Sequence, residues 1–184
     1  MPSHNPFKTR KTTAQYPEWM RVYDAYAKFG IKVIPINFDD STPESGRDIE
    51  FLVSEDQASC NKETIRQWGI TIPNPYWAIL VGEYCKILVV RVIGEKGNRT
   101  LSELETTFGR LNVSTYMTTP FGKDYFYKYN STDELTLLRQ DLGEEIDFLY
   151  NNEFIVVAPS RYYEWESYEK PSSYPFIARC WRTV

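Results

Sequence analysis

The stretch KILVVRVIGEKGNRTLSELE, from Lys86 to Glu105, decides the fold. Ile87 to Val92 is an apolar run rich in β-branched residues and reads as a strand at the centre of a sheet. Just upstream, Trp77 to Val81 is a second such run. Only Gly82-Glu83-Tyr84-Cys85-Lys86 lies between them, too short for a crossover helix, so the spacing predicts that the two strands pair as an antiparallel hairpin. Downstream, Thr100-Leu101-Ser102-Glu103 has the form of a capping box. It predicts a helix that starts there and stops at Gly109.

Working outward, Pro17 suits a first helical position, and Trp19, Tyr23 and Tyr26 recur at helical spacing until Gly30 ends the pattern. Lys32 to Ile36 reads as a strand. Asn37 to Ser59 reads as a long loop with a short strand at Ile49 to Val53, and Asn61 caps a helix that runs through Trp68. On the far side, strands are expected at Tyr116 to Thr118, Asp124 to Tyr129, Glu145 to Phe148, Phe154 to Ala158 and Tyr162 to Glu166. Asp133 to Asp141 is expected to form a short helix, and the apolar tail from Tyr174 to Val184 to dock. Periodicity alone therefore gives an α/β domain. Residues 16–184 are expected to form it as one unit, behind a flexible basic arm at residues 1–15.

Composition narrows the function classes. The 184 residues are 42% hydrophobic and 25% charged, as in a globular chain with one sizeable core. A net charge of −4 argues against a protein that coats nucleic acid indiscriminately, because Lys and Arg supply most non-specific affinity for phosphate. Lys8, Arg10 and Lys11 concentrate positive charge in the arm. Fourteen tyrosines, ten phenylalanines and five tryptophans serve core filling, and tyrosine also serves base stacking. The three cysteines lack metal or disulfide spacing, and His4 is the only histidine. That removes Ser-His and Cys-His triads and His-ligated metals from consideration. No signal region or membrane-length apolar run is present, so a cytoplasmic location without membrane partners is expected.

The order of four segments is similar to the bifunctional DNA primase-polymerase domain of the archaeo-eukaryotic primase superfamily. They are the Lys86 to Glu105 stretch, TTPFGKDYFYKY (Thr118 to Tyr129), EEIDF (Glu144 to Phe148) and FIVVAPS (Phe154 to Ser160). AYAKFGIKVIPI, IRQWGI and WAILVG resemble that family's earlier blocks. The resemblance implies a mixed, largely antiparallel central sheet flanked by helices, an α+β arrangement, with the Asp147 strand near Arg91. In that family a strand ends in an Asp-x-Asp or Asp-x-Glu pair that holds two divalent metals, and the matching positions here are Arg91 and Ile93. The turn leading to the family's phosphate-contacting His is Thr119-Pro120-Phe121-Gly122-Lys123-Asp124. The His position falls on Asp124, or on Tyr125 in an ungapped reading. The third motif's Asp is matched by Asp147.

Neither a guanidinium nor an aliphatic chain binds Mg²⁺, which demands hard oxygen ligands. The resemblance therefore implies a primase-polymerase domain whose only surviving catalytic residue is Asp147, with no cofactor expected. Arg91 is expected to pair with Asp147 in the former cleft and to stand in for the metal charge. Arg91, Lys123 and Lys128 are the candidates for phosphate contact, although lysines at a hairpin are also ordinary surface residues. Three functions stay open. One is an accessory module that weakly binds single-stranded DNA or nucleotide and works beside replication proteins such as a helicase. Another is an active nucleotidyltransferase that uses Mg²⁺ or Mn²⁺ on relocated carboxylates such as Asp124 with Asp147. The third is a regulator that reuses the old cleft for protein contact.

Overall fold

The computed structural model describes residues 24–38, 49–82, 85–110, 115–128 and 145–167. The arm at residues 1–15, the helix expected at Asp133 to Asp141 and the tail from Tyr174 lie outside them. The fold is mixed α+β, with two largely antiparallel sheets and few helices. The chain divides into two compact units. One comprises Met1–Leu80 and Phe154–Trp165; the other comprises Val81–Glu153 and Glu166–Val184.

The first unit opens with a helical turn at residues 24–28, and Gly30, at φ 68°, ends it as expected. Strand β1 (Val33–Phe38) then pairs antiparallel with β2 (Ile49–Phe51) and β3 (Tyr76–Val81). The sheet order is β2-β1-β3-β8, where β8 is Glu153–Val157. Pro35 sits inside β1 although proline has no N–H to give. Its carbonyl accepts from Leu52 on the β2 side at 3.2 Å, and the β2 ladder stops at Ile36 opposite Phe51, so the missing donor faces a point past the ladder's end. Helix α1 (Lys62–Thr71) is capped by Asn61, whose side chain accepts from the backbone N–H of Glu63 and Thr64. Buried Tyr26 donates its hydroxyl to the Ala158 carbonyl at 2.7 Å and accepts from the Trp165 indole at 3.1 Å.

The second unit is built on β4 (Ile87–Ile93). It runs antiparallel to β6 (Gly122–Lys128) on one side and to β7 (Ile146–Leu149) on the other. With β5 (Tyr116–Thr119) and β9 (Glu164–Ser167) the order is β7-β4-β6-β5-β9. Leu88, Val90 and Val92 pack with Tyr127, Ile146 and Leu101 of helix α2 (Gly94–Phe108) in one core cluster.

Two local expectations are corrected. The hairpin between Trp77–Val81 and Ile87–Val92 does not form: β3 belongs to the first sheet and β4 to the second, and an isolated antiparallel bridge pairs Gly82 with Ile87. Link length permitted a hairpin, but both edges of each strand are taken by other partners. Gly82, at φ 117°, marks the departure. A Cβ there would stand 2.4 Å from the Tyr150 carbonyl oxygen, so only glycine fits.

The second correction concerns α2, which begins at Gly94 rather than at Thr100. Strand β4 hands over to it directly, and the Thr100 hydroxyl bonds back to the Lys96 carbonyl at 3.2 Å, the habit of a threonine in a helix interior. The stop at Gly109, φ 96°, is as expected. Among the described residues no helix is long and apolar enough to cross a membrane.

Candidate functional site

Strand pleating gives β4 two faces of different character. The even-numbered side chains lie in the α2 cluster, while Val89, Arg91 and Ile93 project from the other face. On that face the register sets Arg91 opposite Asp124 of β6 and also opposite Asp147 of β7. Directly opposed residues share a side. One row therefore runs Asp124, Arg91, Asp147, and Met117 of β5 lies beyond Asp124.

Arg91 closes a bidentate fork on Asp124. Its Nε donates to Oδ1 at 2.9 Å, and a terminal nitrogen donates to Oδ2 at 2.8 Å. Asp124 is wholly buried, whereas 24% of the Arg91 side chain is exposed. The expected pairing of Arg91 with Asp147 is thus corrected: the arginine takes the carboxylate on its other side, and Asp147 is exposed. Desolvation explains the choice. Asp124 sits on an interior strand between β4 and β5, where an unpaired carboxylate would cost several kcal/mol. Asp147 sits on β7, at the end of the sheet order, where water solvates it.

The register that aligns Asp124 with Arg91 is set by the β5–β6 turn. Thr119 Oγ1 accepts from the N–H groups of Phe121 and Gly122, and the Gly94 N–H donates to the Phe121 carbonyl. Gly122 lies against β4 so closely that a Cβ would stand 2.0 Å from the Val92 carbonyl oxygen. Gly122 opposite Ile93 leads, two residues on, to Asp124 opposite Arg91.

The other predicted residues divide between the two faces. Ile93 shares the face of Arg91 and is half-buried. Lys128, exposed, is on that face too, but at the far end of the strand pair, opposite Ile87. Lys123 and Tyr125 project from the α2 face, opposite Val92 and Val90. The Lys123 ammonium stands 5.7 Å from the Tyr116 ring, and Tyr125 packs 5.8 Å from the same ring. Burial first, then Glu105 and Tyr116, hold the Tyr125 phenol above its ordinary pKa. Of the two positions considered for the family's His, Asp124 faces Arg91 and Tyr125 does not. Arg91, Lys123 and Lys128 do not surround one point.

The model of the bifunctional DNA primase/polymerase N-terminal domain, Prim-Pol, matches residues 23–176. The chain belongs to the Prim-Pol family. No curated protein matches it. The Prim-Pol match spans both sheets, and it contains the whole row from Asp124 to Asp147.

Proposed function

We propose that this Prim-Pol chain is a DNA-replication accessory module without nucleotidyl-transfer chemistry, which contacts single-stranded DNA or nucleotide weakly and without a metal. The observation that carries the reading is the row Asp124, Arg91, Asp147. Two-metal phosphoryl transfer needs carboxylates converging on ions about 3.5–4 Å apart. Here a guanidinium stands between the two aspartates. Their strands are two spacings apart, about 9–10 Å at the backbone. Both oxygens of Asp124 are already held by Arg91. Among the described residues no three His, Cys, Asp or Glu side chains form a cluster that fits a metal. A pair of divalent ions does not fit this donor set, and Arg91 supplies a fixed positive charge in its place.

Phosphate contact then falls to Lys123 and Lys128 as separate point charges on opposite faces of β6. Such contacts are weak, indifferent to chelators and sensitive to salt. Replication proteins such as a helicase are the partners that a module of this kind serves.

The purified chain, given a primed template, deoxynucleotides and Mg²⁺ or Mn²⁺, is expected to extend nothing. A labelled single-stranded oligonucleotide should bind weakly by fluorescence anisotropy, equally with and without EDTA, and less well at higher salt. Metal-dependent incorporation that vanishes in Asp147→Ala would overturn the reading in favour of an active polymerase. Absence of DNA binding at low salt would replace DNA by protein as the ligand.

A further inference from the structure

The first unit carries a cavity of ≈ 490 Å³, of the size that takes small molecules. Its described walls come from Gly69 on α1, from Asn74 to Trp77, leading into β3, and, far away in sequence, from the turn after β8 that bears Pro159 and Arg161. Ser160 fastens the last two together. Its buried hydroxyl accepts from the Trp77 N–H at 2.8 Å and donates to the Trp77 carbonyl at 3.3 Å, so both walls share one rigid anchor.

The lining has a particular chemistry. Pro75, Tyr76 and Pro159 offer flat, weakly polar surfaces. Tyr76 is held by its own ring contact to Phe38 at 5.8 Å. Trp77 is 2% exposed and so offers little surface to a ligand. Asn74 adds an amide with donors and an acceptor. Among the described lining residues the charged one is Arg161, exposed, with its guanidinium 4.5 Å from the ring centre of Tyr162. A cation over a ring face is attracted to it, and the guanidinium keeps N–H donors that suit a phosphate. Two of the non-glycine residues at positive φ, Asn74 at 46° and Tyr162 at 68°, belong to these same two segments. A bulky residue at such a φ is strained, and strain of this kind gathers at ligand clamps.

Flat walls, an amide and a cation match a planar heteroaromatic ring that carries a single phosphate. We infer that this cavity is a binding site for a nucleoside monophosphate, with Arg161 on the phosphate and the base lying against Tyr76 and the prolines. The site lies wholly within the first unit. It uses none of Arg91, Lys123, Lys128, Asp124 or Asp147, and so does not depend on the role proposed for them.

The test is calorimetric titration of the full chain with dAMP in EDTA, repeated with adenosine and with inorganic phosphate. Binding of dAMP is expected to exceed that of either fragment. Arg161→Ala, at an exposed position that leaves the core intact, should weaken dAMP roughly ten- to a hundredfold, as expected for loss of a charge-assisted hydrogen bond. The same substitution should leave adenosine unaffected, and Arg161→Lys should recover part of the loss. Lys123→Ala with Lys128→Ala should not remove the Arg161-dependent binding of dAMP. The inference is overturned if dAMP does not bind, if Arg161→Ala binds it as well as the wild type, or if the lysine substitutions abolish binding.

Discussion

Two buried polar sites, one in each unit, are satisfied by different means. In the first unit, two buried hydroxyls are neutral partners: that of Tyr26 lies between the Ala158 carbonyl and the Trp165 indole, and that of Ser160 between the two polar ends of Trp77. In the second, a fully buried carboxylate is held by a guanidinium that reaches the surface. A neutral hydrogen bond contributes about 1 kcal/mol net. A buried ion pair contributes little as a unit, yet punishes the removal of one member. The first arrangement can therefore change one residue at a time, whereas the second must change in pairs.

The largest effect expected from this contrast is at Arg91. Arg91→Ala strands the Asp124 carboxylate and should destabilise the protein by about 3 kcal/mol, the low end for a broken buried pair because part of the guanidinium is hydrated. Asp124→Ala should cost a similar amount. The double substitution Arg91→Met, Asp124→Leu should recover most of the loss, since apolar replacements of similar volume are often neutral. Asp147→Ala should stay within about 0.5 kcal/mol, as for an ordinary surface change. Urea unfolding of the four variants checks this. Equal losses at Arg91 and Asp147 that fail to add when the two substitutions are combined would mean that Arg91 serves Asp147 after all.

The contrast also marks how much was legible in the sequence. Features written in consecutive residues were readable: the Asn61 cap, the stops at Gly30 and Gly109, and the location of most strands. Each rests on the conformational preference of one residue or on a period within a few. The Arg91–Asp124 fork joins residues 33 apart in sequence, and its existence depends on which strand lies beside β4 and in what register. Asp124 was a candidate, but as a relocated ligand or a replaced His. The counting that reveals its partner, outward from the Gly122 turn, needs β6 to be known as the neighbour of β4. The β3–β4 hairpin failed for the same reason, because link length says nothing about competing edges. Family likeness brought Arg91 and Asp147 to neighbouring strands, and this holds, but it did not say which of two flanking carboxylates the arginine would take.

A smaller effect tests the neutral arrangement. Ser160→Ala leaves the Trp77 N–H and carbonyl without their partner hydroxyl in a buried place, and should cost about 1–3 kcal/mol, the range for an orphaned buried group. Because Ser160 joins two walls of the first unit's cavity, the same variant should bind dAMP less tightly than the wild type even where it is fully folded. Stability loss with unchanged dAMP affinity would show that the hydroxyl holds the fold but not the cavity.

The smallest effect separates the two helices. Helix α1 begins at a side-chain cap, while α2 leaves β4 at Ile93 with no capping side chain, and its first-turn Glu95 is placed to favour the helix dipole. Asn61→Ala should therefore cost about 1 kcal/mol, the typical loss of an N-cap. Thr100→Ala should cost nothing measurable or stabilise slightly, because the helix interior prefers alanine and the hydroxyl only duplicates a carbonyl's bonding at Lys96. If Thr100 were instead the start of the helix, its loss would match that of Asn61. Chemical denaturation of the two single variants, side by side, decides whether α2 is launched by the strand before it or by a cap within its own sequence.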